Sequence, residues 1–444
     1  MNKSNTLKFI PVWLISRKRY FSLITLDAII IFIIFIKNFG ISNINLLELF
    51  LFEIFWILIS YSMGCYYVKK INSIEILKSQ IKKITLFAVF IFIIYLIYKF
   101  LKFQNFNNIN YIPFQIITVS FLGQIILNKI IVKNYEKDIF WLFLGSKTSF
   151  MKLQKELKNS RLKANVVFYN SNLDLTINKN FEGLITDDFY NLPSDLKENL
   201  KEEAFSSIKI LSKYDWSLLI LQRIPNLVIN RDYFLKEIRK VEMQKLELGI
   251  KRLGDIFFSG ILILITLPIV TLSMILIKLE DNGPIFYSQI RTGLKCKKIK
   301  IWKLRTMYVN SEDGEAKWAK KNDKRITKFG KILRKTRIDE LPQLFSIIKG
   351  DMSLIGPRPE RPEFDAILEK EISNYSLRYT LKPGLSGWAQ VNYTYGSSIN
   401  DAEKKLSYDL FYLTQFSIWI DLLIFFKTIN LVLNGKGSEP EKVI

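Results

Sequence analysis

The sequence predicts a multi-domain membrane protein with three parts: a four-helix transmembrane bundle, a Rossmann-like α/β domain, and a second α/β domain bearing a re-entrant membrane helix hairpin. Three observations predict it. Four apolar runs crowd the first third of the 444 residues, and short apolar strands alternate with polar helices in the middle. A fifth apolar run, Ile256–Ile277, is interrupted by Pro268 and flanked by basic residues at both ends. The expected boundaries are 1–134 for the bundle, 135–230 for a degenerate nucleotide fold and 231–250 for a connecting helix. The last domain is 251–444, its hairpin at 255–278.

The apolar runs lie at about residues 21–38, 46–67, 84–101 and 111–132, each near the ~20 residues that cross a hydrocarbon core. No small-residue cleavage site follows the first run, so it reads as a span rather than a signal peptide. Arg17, Lys18 and Arg19 precede the first run, and Lys69, Lys70, Lys78, Lys82 and Lys83 lie between the second and third. The opposite loops carry only Lys102. The positive-inside bias then puts the N-terminus and everything after 133 in the cytoplasm of a multi-pass inner-membrane protein. Asp27, Glu48 and Glu53 are expected in interfacial or helix-pairing roles rather than in a functional acid site.

Apolar residues make up 49% and aromatics 14%, yet the net charge is +23. Basic residues facing anionic headgroups or bound phosphates reconcile those figures, and the readers of nucleic acid are lacking. Cys65 and Cys296 are far apart in unlike surroundings, which indicates neither a disulfide framework nor a thiolate metal site. The chain has no histidine. That absence excludes imidazole bases, Ser-His-Asp triads and histidine-held zinc. Chemistry here must run on carboxylates, Arg, Lys and hydroxyls, with room for an oxygen-bound metal.

In the second domain, Ile139–Leu144 reads as a strand, and Gly145-Ser146-Lys147-Thr148 opens a helix to about Lys158. More strands are expected at Ala164–Tyr169, Gly183–Thr186 and Ile208–Leu211, with a polar helix near 194–204. A glycine turn at a helix start can present N–H groups to phosphate. A dinucleotide fingerprint wants three glycines, and only Gly145 is present. A relic used for regulation or oligomer contacts is the preferred reading.

For Ile256–Ile277 the simple reading is a fifth crossing. Pro268 near its middle removes a backbone hydrogen bond. Lys251 and Arg252 precede the run, while Lys278, Arg291, Lys295, Lys297, Lys298 and Lys300 follow it. A crossing would strand one cluster outside, so a helix-break-helix hairpin returning to the same leaflet is preferred.

The C-terminal third gathers the residues for phosphate chemistry. Short strands are expected at Ile285–Gln289 and Ile299–Trp302, the second leading into Lys303-Leu304-Arg305-Thr306-Met307. A helix past Gly330 would put Lys331, Arg334 and Arg337 on one face, with Asp339-Glu340 following on that element. Gly356-Pro357-Arg358-Pro359 is a rigid turn holding one arginine. Guanidinium forks match phosphate oxygens, and a nearby guanidinium keeps a carboxylate ionised. A carboxylate that attacks phosphorus yields an acyl phosphate, still activated for a second acceptor.

From Lys251 to the C-terminal end the chain resembles the polyprenyl-phosphate hexose-1-phosphate transferases, the bacterial sugar transferase family. The resemblance is carried by Lys251-Arg252 with Asp255, Pro268, Asp281-Asn282-Gly283-Pro284, Lys303–Met307 and Asn322–Thr327. It continues through Arg337-Ile338-Asp339-Glu340-Leu341-Pro342-Gln343-Leu344, Lys349-Gly350-Asp351-Met352-Ser353, Gly356–Pro359 and Lys382–Asn392. The four spans and the relic fold resemble the large members that initiate exopolysaccharide or O-antigen synthesis. The resemblance implies a UDP-sugar donor and a polyprenyl (undecaprenyl) phosphate acceptor at the bilayer, with UMP released. Asp339 would be the nucleophile, and Glu340 would hold Mg²⁺ or orient the acceptor. Lys303, Arg305, Arg334, Arg337 and Arg358, with Gly356, Pro357 and Pro359 around the last, would bind the substrate, and homodimerisation stays open. The family often has Ser before the hairpin proline. Here Leu267 stands there, and Thr266 is the neighbouring hydroxyl that could bond the backbone.

Alternatives remain at four places. Lys382–Asn392 is a structural turn or a substrate or membrane contact. Phe416–Leu433, with Trp419, Phe425 and Phe426 on an apolar face, is expected to lie in the interface rather than make a sixth crossing, which Lys427 mid-run weighs against. Asn310–Lys324 is a loop or a lid. The whole is an enzyme working by ping-pong or direct displacement, or an inactive scaffold of polysaccharide assembly.

Overall fold

The computed structural model describes residues 18–40, 49–50, parts of 53–60 and 115–130, 140–158, 165–168, 181–187, 209–226, 234, 245–309, 323, 325–393 and 398–433. The third apolar run, most of the second and fourth, the helix near 194–204, most of 231–250 and nearly all of 310–324 lie outside them. The chain divides into two compact units, 1–139 and 140–444.

In the first unit, helix α1 (Lys18–Phe39) matches the first apolar run. Ile30, Ile31 and Ile34 pack with Leu49, Trp56 and Ile116, so helical residues of the second and fourth runs share one core with it. Asp27 is fully buried. Trp56 Nε1 donates to its Oδ2 at 3.4 Å, and Ser120 Oγ donates to its Oδ1. This acid pairs helices, as expected.

The second unit begins with β1 (Phe140–Leu144), α2 (Lys147–Lys158), β2 (Asn165–Phe168), β3 (Phe181–Thr186) and β4 (Lys209–Ser212). The four strands pair in parallel, in the order β2-β1-β3-β4. Trp141 and Phe143 alternate onto the face where Leu153 of α2 packs with Val166, Ile185 and Trp216. The expected strands thus form one sheet. Its glycine turn carries no open phosphate cradle: a Cβ on Gly145 would lie 2.6 Å from Asp187 Oδ2, which accepts from the Ser146 N–H at 3.3 Å. After β4 a short helix and a π turn (Ser217–Leu221) end at Gln222, whose φ of 51° turns the chain onto the C-terminal domain. There Trp388 Nε1 donates to Gln222 O at 2.9 Å, and Ile224 N donates to Ser407 O at 2.8 Å.

Helix α3 (Lys245–Asp281) corrects the expected break: one helix is continuous through Pro268. Proline removes the N–H that would bond the Leu264 carbonyl, while two nearby threonine hydroxyls bond other carbonyls of the helix. Thr266 Oγ1 donates to Leu262 O at 2.7 Å and Thr271 Oγ1 to Leu267 O at 2.9 Å. Among the described residues α3 is the helix long and apolar enough to cross a membrane. Its two ends are tied to the same domain. Near the start, Lys251 Nζ donates to Ile355 O, Arg252 to the carbonyls of Ile347 and Ile348, and Asp255 accepts from the Leu354 N–H. Near the finish, Ile277 packs with Leu304 and Leu333, and Glu280 accepts from the Phe329 N–H. Between them Leu264 and Ile265 are 73% and 66% exposed.

The antiparallel pair β5 (Phe286–Thr292) and β6 (Lys298–Leu304) follows, then α4 (Lys328–Thr336), α5 (Gln343–Lys349), β7 (Ser353–Ile355), α6 (Pro362–Glu371), β8 (Gly384–Ser386), α7 (Trp388–Asn392), α8 (Ile399–Thr414) and α9 (Ile418–Leu433). Strands β7 and β8 pair in parallel. Helix α9 packs against the domain through Ile420, Leu423 and Ile424 while Trp419 is exposed. Its polar residues are spent inside the protein. Asp421 accepts from Lys251 Nζ at 2.5 Å, and Lys427 Nζ donates to Asn392 Oδ1 at 2.8 Å and stands 4.5 Å from the Trp388 ring centre.

Candidate active site

Helix α4 is capped by Thr327, whose hydroxyl accepts from the Gly330 N–H at 2.9 Å. It ends at Arg337, which is left-handed with φ 61° although it is not glycine. The shared face expected for Lys331, Arg334 and Arg337 stops there, and Asp339 and Glu340 occupy a separate 3-10 turn, Ile338–Glu340. Such a backbone costs on the order of 1 kcal/mol or more and persists where surroundings over-determine it. Its effect is to turn both carboxylates inward, each 7% exposed.

Glu340 collects the cations. Arg358 Nη2 donates to its Oε1 at 2.6 Å, Lys303 Nζ to the same oxygen at 2.8 Å, and Arg337 Nη1 to Oε2 at 3.4 Å. These neighbours hold the Glu340 carboxyl well below the usual range despite its burial, and Glu340 in turn raises Arg358. Burial lowers Lys303, with Glu340 opposing. Asp339 is the reverse case. Burial, then the charge of Glu340, push it up to about 6 against Lys303, Arg334 and Arg337. Its Oδ1 is buried without a hydrogen-bond partner, an arrangement that costs about 1–3 kcal/mol. The guanidinium cage foreseen for the nucleophile therefore encloses its neighbour.

Of the other expected residues, Arg334 Nε donates to Thr306 Oγ1 at 2.8 Å, close enough to Asp339 to act on its charge. Arg305 is not in the cluster: it is ion-paired to Asp281 at the end of α3 and 8% exposed. Gly356 and Pro357 are framework. Gly356 N donates to Ser386 O at 2.8 Å, and Gly384 N to Pro357 O at 2.9 Å. A Cβ on Gly356 would stand 2.4 Å from Lys382 O. Lys382–Asn392 is thereby the brace of the arginine turn. Sequence reasoning passed over Arg291, whose Nη1 donates to Pro359 O at 3.3 Å and which burial lowers. Its only signal was a place on β5 opposite β6, visible once the strands are paired.

In the donor-free site both Glu340 oxygens already face cations, so a magnesium ion would find a place there only once the donor's diphosphate drew those cations away.

The family model described as bacterial sugar transferase matches residues 246–435. A UDP-N-acetylgalactosamine-undecaprenyl-phosphate N-acetylgalactosaminephosphotransferase of Aeromonas hydrophila is 45% identical over 189 residues, 43% of this chain and 45% of that one. A UDP-glucose:undecaprenyl-phosphate glucose-1-phosphate transferase of Klebsiella pneumoniae is 41% identical over 181 residues, 40% of this chain and 39% of that relative. The chain thus matches less than half the length of these two. The exopolysaccharide production protein PSS of Rhizobium leguminosarum is 38% identical over 200 residues, 43% of this chain and 100% of the relative. The stretch that the family model matches holds the carboxylate pair and its cations, and with the Rhizobium relative matched over its whole length the chain belongs to the bacterial sugar transferase family.

Proposed function

We propose that this chain transfers a hexose-1-phosphate from a UDP-sugar to undecaprenyl phosphate, releasing UMP, as the first step of exopolysaccharide or O-antigen synthesis. The observation that carries the reading is Asp339: a buried carboxylate with one oxygen unpaired, beside cations suited to a diphosphate. Asp339 Oδ1 attacks the β-phosphorus, the bond from that phosphorus to the bridging oxygen breaks, and UMP leaves with the electron pair. An oxygen of the lipid phosphate then attacks the acyl phosphate, and the Asp339 carboxylate is released. Arg358 and Lys303 would move from Glu340 to the donor's phosphates. Magnesium, expected with such a donor, would enter on its diphosphate and offset its charge.

The membrane reading is supported by α3, whose ends are both docked on one domain while the stretch around Pro268 is exposed and apolar. That favours α3 as the helix that seats the domain on the inner leaflet, with a multi-pass bundle before it and the catalytic domain in the cytoplasm. The relatives' names divide between N-acetylgalactosamine and glucose, so the test is a UDP-sugar panel on the full chain in detergent with undecaprenyl phosphate. UMP release that requires Asp339 supports the reading, and absence of release with every donor leaves the scaffold alternative. The high Asp339 pKa also suits direct displacement with Asp339 as base. Trapping a phosphosugar adduct on wild type that is missing in Asp339→Asn separates the two.

A further inference from the structure

Behind the arginine turn lies a buried charged cluster that the chemistry above does not use. Arg378, on the 3-10 turn Tyr375–Thr380, is 5% exposed and forms a 3.0 Å ion pair with Asp409 of α8, itself 1% exposed. The Tyr375 and Tyr379 ring centres lie 5.1 and 5.7 Å from its guanidinium carbon, and Arg378 Nη1 donates to the Tyr375 hydroxyl. The Tyr379 hydroxyl donates to Asp365, whose other oxygen accepts from Thr292 Oγ1 at 2.5 Å. From this cluster Arg378 Nη2 reaches out to the Arg358 carbonyl at 2.9 Å.

That bond completes a pattern. The carbonyls of Pro357, Arg358 and Pro359 are consecutive, and each is held by a different element: Pro357 by the Gly384 N–H of β8, Arg358 by Arg378, and Pro359 by Arg291 of β5. Prolines fix φ on either side of Arg358. With all three carbonyls fixed as well, the direction in which the Arg358 side chain leaves the turn is set from behind. Stability alone gives little reason for a charged pair at this depth, since well-packed apolar residues often serve as well or better. A planar fork that meets a carboxylate and a carbonyl together gives a geometric reason.

We propose that Arg378, locked by Asp409, is a positioning residue: it fixes the Arg358 backbone so that the guanidinium meets the donor's diphosphate. This rests on the transferase reading. The test is a cycle on the full chain in detergent, with Arg378→Lys made in the wild-type and Arg358→Lys backgrounds. In wild type, Arg378→Lys should keep the melting temperature within a few degrees. It should lower kcat/KM for the donor about 10- to 50-fold, mostly through KM, and weaken calorimetric binding of inorganic pyrophosphate about tenfold. In Arg358→Lys both losses should shrink to about threefold or less. Equal losses in the two backgrounds, or none in wild type, overturn the proposal. If Arg378→Lys does not fold, Asp409→Asn runs the same cycle. Should wild type release no UMP from any donor, the transferase reading fails by itself, and the pyrophosphate cycle still decides the role of Arg378.

Discussion

Two places in this chain, a glycine turn before a helix and a cluster of cations, are of the kinds that can meet an anion, and in both a carboxylate of the chain itself makes those contacts. At the Gly145 turn, Asp187 accepts from the Ser146 N–H at 3.3 Å and pairs with Lys213 at 2.6 Å, and both side chains remain about a quarter exposed. At the C-terminal site, Glu340 is drawn to Lys303, Arg358 and Arg337 with 9% of its side chain exposed. The occupied cradle does not distinguish them. What differs is the neighbour: beside Glu340 stands Asp339, buried, with an oxygen that nothing satisfies, whereas the carboxylate at the Gly145 turn is itself the plug. An anion pocket holds a phosphate, but transfer through a covalent intermediate also needs a nucleophile beside it.

The largest effect that would break this contrast comes from Asp339→Asn. If Asp339 is the attacking group, UMP release falls by about 10⁴-fold or more; a variant within tenfold of wild type in a single-turnover assay dissolves the distinction between the two carboxylate sites. Next is Arg358→Lys. An ammonium cannot fork across two phosphate oxygens, so kcat/KM should drop about 10²- to 10³-fold, nearly as far as for Arg358→Ala. Near-wild-type steady-state rates for the lysine variant would contradict that geometry.

The pH profile sharpens the comparison. Burial and the Glu340 charge raise Asp339 to about 6, and attack by Asp339 would need its carboxylate form. Turnover should be full above neutrality and fall about tenfold per pH unit once below 6. An aspartate at its ordinary value would hold its rate until about pH 4. Glu340→Gln removes the charge that competes for Lys303 and Arg358, so inorganic pyrophosphate should bind about 5- to 10-fold tighter by calorimetry. Weaker binding would mean that Glu340 organises these cations rather than occupying them.

How much of this was legible in the sequence follows from which forces act locally. The parallel strands could be read because alternation and apolar runs are local signals, and β1 to β4 fall within a few residues of their expected positions. The nearness of the carboxylate pair to Arg358 could be expected from the ordered motifs around them, although an Asp-Glu pair by itself is ordinary surface chemistry. The turn that separates Arg337 from α4 could not, since a left-handed residue without glycine leaves no mark in a sequence. The commitment of Arg305 to Asp281, and of the cations to Glu340 rather than Asp339, depends on tertiary distances that spacing does not encode. Continuity of α3 through Pro268 could not be read for another reason: proline raises the cost of a helix interior, but the residue alone does not say whether the helix breaks, kinks or continues.

The smallest expected effect is the most informative about the first of the two places. Asp187→Ala opens the Gly145 turn, leaving the Ser146 N–H and Lys213 without the anion that satisfies them. One backbone N–H before a helix and one lysine should then take up inorganic phosphate weakly, with Kd of about 1 mM or above, while UMP turnover changes less than about twofold because Asp339, Glu340 and the cations around them are untouched. This segment nevertheless contacts the brace of the arginine turn, since Gln222 O accepts from Trp388 Nε1. A tenfold loss of turnover in Asp187→Ala, with the melting temperature kept, would mean that the parallel sheet acts on Arg358 through Trp388, and that the plugged cradle belongs to the transfer machinery.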